Sequence, residues 1–154
     1  MAKITSVKLT VSEDVQFSQV LSAWQDSDWD FVNETPPFMR EVFDVSTSPY
    51  EREYTGETSD ERTLTGFLDE VNTLCRSGKS VVVDLTDGEL YGSVTWNQNN
   101  VCEFVFFGSQ LCLPKEEGKP ARRTDWNRVV SAITTPLHEK GIFVLWITLY
   151  EEFI

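Results

Sequence analysis

His138 is the only histidine in the chain, and Cys75, Cys102 and Cys112 are its only cysteines. One histidine cannot build a metal cluster, and it serves a nucleophile only if the fold carries a Ser or Cys to it. Its place at the C-terminal end of a predicted helix suits a cation beside the helix dipole, which is the structural role we expect. Three cysteines without a C-x-x-C pair give neither a disulfide framework nor a zinc site. Cys75 falls on the apolar face of a predicted helix and Cys102 in an aromatic strand. Both read as small buried hydrophobes in a reducing cytosol. No G-x-x-x-x-G-K-[ST] or G-x-G-x-x-G run exists to cradle a phosphate. Long apolar runs are missing too: the longest, 142–150, is broken by Thr148 and falls far short of the ~20 residues of a membrane span. The N-terminal MAKITSVKLTV has no apolar run of signal-peptide length. These absences predict a cytoplasmic protein with no metal, no cofactor, no membrane segment and no catalysis of its own.

Basic residues are also scarce. Thirteen Lys and Arg face 25 Asp and Glu, for a formal charge of −12. Such a chain repels nucleic-acid phosphates and anionic lipid heads, so neither is an expected partner. It attracts cationic proteins, and long-range charge raises association rates with them by about 10–10³-fold.

The charge is concentrated. Thirteen acids lie between Asp26 and Glu70 against Arg40, Arg52 and Arg62, a net −10 in under a third of the length. The same stretch holds Trp29, Phe31, Phe38, Phe43, Tyr50, Tyr54 and Phe67. A solvated acidic tail lacks aromatics, so this segment reads as folded or as a recognition surface. The candidate partner contacts are Asp26, Asp28, Trp29, Asp30, Glu34, Glu51, Glu53, Tyr54 and Glu57. Trp29 stands between Asp28 and Asp30, which makes it either an exposed anchor or a ring tucked against the first helix. Trp24, Trp126 and Trp146 are expected in the core, and Trp96 flanks a turn and fits either place. Asp84 and Asp87 can be read as a carboxylate pair, but turn formation beside Gly88 explains them better, and among 25 acids no one pair is informative.

At 154 residues the chain fits one domain, enough to bury about two-thirds of its unfolded surface. Residues 3–11 alternate as a half-buried strand. Ser12 and Asp14 offer N-caps to a helix with Phe17, Val20, Leu21 and Trp24 on one side, ending in Asp26-Ser27-Asp28. Trp29 and Phe31 alternate with acids, which suits a short strand. Thr35 before Pro36 and Pro37 predicts one or two helical turns over 38–43. The remainder to 58 reads as an acidic loop with a strand at 50–54. Thr58 and Glu61 have capping-box spacing ahead of a stripe of Leu64, Phe67, Leu68, Val71, Leu74 and Cys75, closed by Arg76 and Gly78.

Residues 80–108 read as a β-meander, with turns at 87–88 and 97–100 and a bulge at Gly92. Residues 109–123 form a loop with a basic end, Lys115, Lys119, Arg122 and Arg123. Thr124 caps a third helix bearing Trp126, Val129, Val130, Ile133 and Leu137, which Pro136 kinks or ends early. The chain closes with a strand over 142–150, hydrophobic enough to be central or covered on both faces. The predicted architecture is α+β: a largely antiparallel sheet of about five strands, with three main helices packed mostly on one face.

The second half is similar to bacterial immunity proteins that neutralise secreted polymorphic toxins, in particular the family that protects against deaminase-type toxin domains. The similarity is one of layout: ERTLTGFLDEVNTLCRSG, then VVVDLTDGELYGSVTW, then a helix ending LHEKG and the terminal FVLWITLYEE. It covers somewhat over half the chain and carries over no individual functional residue. It implies a small acidic cytosolic inhibitor that occludes a basic toxin domain without catalysis. An acidic nucleic-acid mimic from a phage or mobile element would use the same charge, and a small adaptor subunit is a further alternative.

Overall fold

The computed structural model describes residues 3–32, 41–44, 64–97, 99–107, 113, 117–118 and 123–153. The alternation of the first segment becomes β1 (Lys3–Val11), which buries Val7, Leu9 and Val11 on one side. In α1 (Phe17–Gln25) the spacing of Phe17, Val20, Leu21 and Trp24 puts all four in the core. The helix starts later than Ser12 or Asp14, because the Gln16 N–H donates to Gln19 Oε1 at 2.7 Å and closes the first turn. It ends as the Asp-Ser-Asp run predicts: the Ser27 hydroxyl donates to the Trp24 carbonyl at 2.6 Å and competes with the helical ladder.

The next elements are two short strands, β2 (Asp30–Phe31) and β3 (Glu41–Asp44). Helical turns were expected over 38–43, yet 41–43 are extended. A local cap-and-proline signal is weak beside the open backbone groups of a sheet edge, and Val42 and Phe43 are good strand formers. The strand expected at 50–54 and the Thr58–Glu61 capping pair lie outside the described residues. In α2 (Leu64–Arg76), Phe67 and Val71 are fully buried, with Leu68, Leu74 and Cys75 packed beside them. Gly78 follows with φ 84°, a left-handed stop that only glycine adopts cheaply.

The meander is β4 (Lys79–Thr86), β5 (Tyr91–Asn97) and β6 (Val101–Phe107). Asp87 forms the first turn, its Oδ1 accepting from the N–H groups of Glu89 and Leu90 at 2.9 and 2.6 Å. Asp84, grouped with it from sequence, is instead a buried strand residue that accepts the Ser93 hydroxyl at 2.6 Å. Gly92 sits at no bulge. It lies in regular register between Leu85 and Phe106, and a Cβ there would come within 2.3 Å of the Phe104 ring.

Asp125 rather than Thr124 caps α3 (Trp126–Glu139), accepting the Arg128 N–H at 3.2 Å. The Thr124 hydroxyl donates to Glu151 Oε2 instead, at 2.6 Å. The helix runs through Pro136 to Glu139. Proline has no N–H for the carbonyl four residues back, that of Ala132. The Trp29 indole supplies it, Nε1 to O at 3.0 Å, and Trp24 Nε1 reaches the adjacent Ile133 carbonyl at 2.9 Å. Trp29 thus supplies the donor that Pro136, expected to kink or end the helix, withholds, and Trp24 braces the next carbonyl.

Among the described residues all the strand pairings are antiparallel, in the order β2-β4-β5-β6-β1-β7, with β3 also on β4. β2 and β3 lie end to end along one edge of β4, so the seven described strands fill six places. The three described helices cover one face, and the fold is α+β as expected. Phe104 stands at the centre of that layer, with Phe106 stacked at 4.4 Å and Trp24 and Trp29 at 5.4 and 5.0 Å. Trp96 is also core, stacked on Phe17 at 5.1 Å.

The last strand, β7 (Val144–Phe153), departs most from expectation. It is neither central nor covered. It pairs with β1 and forms the edge of the sheet, with large apolar side chains exposed on both faces. Trp146, expected in the core, is 65% exposed. Among the described residues no helix is long and apolar enough to cross a membrane.

Candidate partner-binding surface

Of the candidate contacts, the structure places those in the acidic connection between α1 and β2. Asp26, Asp28 and Asp30 are all exposed, whereas Trp29 between them is 2% exposed. Of its two expected places the inner one is found: Trp29 is a core residue and not an exposed partner anchor. The period-two alternation explains it: Trp29 and Phe31 turn inward together, and the acids between them turn outward. Glu34, Glu51, Glu53, Tyr54 and Glu57 lie outside the described residues.

The fold adds acids that sequence proximity hid. Asp28 lines a depression of about 360 Å³ together with Asp87 from the β4–β5 turn and Glu139 from the end of α3. Asp30 pairs with Thr86, immediately before that turn. Arg128 lies in the same depression, and Glu89 binds its guanidinium. Among the described residues, three carboxylates line the depression against one cation, Arg128, which Glu89 binds. Asp26 stands apart, in an ion pair with Lys140 at 3.2 Å. That pair is half exposed and contributes about 0.2–1 kcal/mol at most. Asp87 and Glu139 were missed because they lie some sixty and more residues beyond Asp26; Asp87 drew notice only as a turn former.

Among the described residues the other chemistry-bearing groups do not converge, and Cys112 lies outside those residues. His138 is exposed in the last turn of α3. Burial alone pushes the Cys75 thiol up to about 11, and burial, then the Glu103 charge, raises Cys102 further. Both shifts favour the protonated thiol over the thiolate near neutral pH. Among the described residues no three His, Cys, Asp or Glu are grouped to hold a metal ion.

No protein-family model matches the chain, no curated protein matches it in sequence, and no solved structure matches it in fold.

Proposed function

We propose that the chain is a non-catalytic inhibitor of the immunity-protein kind, which binds a basic toxin domain acting on nucleic acid and covers its active site. The observation that supports this is the gathering of Asp28, Asp30, Asp87, Glu89 and Glu139 from three separate parts of the chain onto one end of the molecule. A cleft that binds phosphates is basic, and an acidic patch competes for it by presenting the same charge. The partner is sought as the product of the gene adjacent to this one, by co-purification. Its association is then followed by stopped flow at two salt concentrations. Reversing Asp28 and Asp30 to lysine slows association and flattens its salt dependence. Unchanged association with those variants, or a partner of acidic charge, sinks the proposal.

A further inference from the structure

The C-terminal strand presents an edge that the acidic-patch reading does not use. Phe143, Leu145, Trp146, Ile147, Leu149 and Tyr150 are 74, 57, 65, 37, 43 and 52% exposed. A long, flat, hydrophobic edge is what soluble proteins avoid, because its free N–H and C=O groups template another strand. The exposed apolar side chains amount to on the order of 500 Å². A standard interface buries about 800 Å² per partner, about two-thirds of it apolar in homodimers, and the exposed apolar surface here is of the order such a contact draws on.

The strand also specifies which partner fits. The ladder with β1 is regular from Trp146 onward and shifts register just before it, at Leu145. From Trp146 to Tyr150 the chain reads aromatic, aliphatic, Thr, aliphatic, aromatic: Trp-Ile-Thr-Leu-Tyr. That order is a palindrome about Thr148. In an antiparallel pair, directly opposed residues point their backbone groups the same way. Joining the same edge of two copies therefore requires an axis through a residue, not between residues. An axis through Thr148, perpendicular to the sheet, sets Trp146 against Tyr150 twice and Ile147 against Leu149 twice. It sets Thr148 against its own copy. Aromatic pairs and Thr–Thr pairs are among the favoured cross-strand neighbours.

Charge agrees with this register. Glu151 and Glu152 fall opposite Leu145 and Val144 of the second copy, never opposite each other. Within its own chain Glu151 is already matched by Lys3 at 3.8 Å and bound by the Thr124 hydroxyl. β2, where Asp30 lies, is five strand spacings from β7, about 24 Å, well beyond the screening length of about 8 Å.

We infer that β7 is the contact of a two-fold homodimer, in which two copies join through the Trp146–Tyr150 palindrome into one continuous twelve-place sheet with all helices on one side. Sedimentation equilibrium of the full chain should give twice the 17.6 kDa chain mass at concentrations up to about 100 µM. Thr148→Lys and Thr148→Glu each place like charges face to face on the axis. Each should run as a monomer with unaltered circular dichroism, and an equimolar mixture of the two should recover the dimeric mass. In the wild type, β7 amide exchange should slow as concentration rises, a readout that needs no variant. A wild type of single-chain mass throughout that range overturns the inference. So do variants that stay dimeric alone, a mixture that stays monomeric, and β7 exchange independent of concentration. A monomer whose β7 amides are protected only by the basic partner also overturns it, in favour of a heterologous strand. Reversals at Asp28 and Asp30 should leave the dimeric mass unchanged, so this result stands or falls apart from the inhibitor reading.

Discussion

Trp24 and Trp29 donate their indole N–H groups to consecutive carbonyls of α3, those of Ile133 and Ala132, at 2.9 and 3.0 Å. Pro136 withholds the backbone donor that the Ala132 carbonyl would otherwise have. Trp29 is therefore a folding residue, and its substitution should act on stability before it acts on binding. Trp29→Ala should cost about 3–5 kcal/mol in urea denaturation. Trp29→Phe keeps much of the ring but strands the carbonyl, for about 1–3 kcal/mol. Adding Pro136→Ala should recover part of that loss, because alanine restores the N–H; a double-mutant cycle without coupling would contradict this account.

Gly92 should not tolerate a methyl group. Its Cβ would approach the Phe104 ring to 2.3 Å and the Val105 carbonyl oxygen to 2.8 Å, and Phe104 is hemmed in by Phe106, Trp24 and Trp29. Gly92→Ala should destabilise by about 1–3 kcal/mol, as overpacking does. Gly88→Ala has open space and meets only the strain of φ 95°, so its thermal midpoint should fall less.

Asn100 should be costly for two separable reasons. It holds φ 57°, and its Nδ2 donates to the carbonyls of Ser12 and Val15 at 2.8 and 2.9 Å, tying the β5–β6 turn to the start of α1. Asn100→Gly keeps the conformation and loses the bonds, for about 1–2 kcal/mol. Asn100→Ala adds left-handed strain and should be worse by roughly 1 kcal/mol more. Equal midpoints for the two variants would remove the strain term.

Alkaline pH should weaken the fold partly through Cys75. Its folded pKa, about 11, lies above the ordinary 9.0, so the native state holds the proton that the unfolded chain gives up. The stability it contributes is complete below about pH 9 and lost as pH rises toward 11. Urea midpoints at pH 8 and pH 10 should diverge more in the wild type than in Cys75→Ala. Equal divergence would mean the thiol is not the cause.

Much of the fold could be read from periodicity. The stripe Phe17, Val20, Leu21, Trp24 and the stripe containing Phe67 and Val71 face the core because 3.6-residue spacing leaves little choice. The three-strand meander followed from Val-rich runs and Asp-Gly. What failed was long-range. β3 reflects a neighbour's open edge, which no local signal carries. β7 was misplaced because hydrophobicity reports that a surface avoids water, not whether its own chain covers it. The flanking acids suit Trp29 to an exposed place, and only its alternation with Phe31 favours the inner one. For the candidate surface, Asp28 and Asp30 were found by clustering in sequence. Asp87 and Glu139 join them only through the β4–β5 turn and the C-terminal end of α3.

The position of β1 sets the order in which the molecule can be finished. It precedes every other described strand, yet its neighbours are β6 and β7, so Lys8 waits for Glu103 and Thr148. On a ribosome the opening strand must stay unpaired on both sides through the synthesis of roughly a hundred residues. Distant pairings of this kind slow folding and expose strands meanwhile. Premature release or truncation before β7 leaves β1 as a raw edge, so shortened products of this chain should aggregate rather than fold.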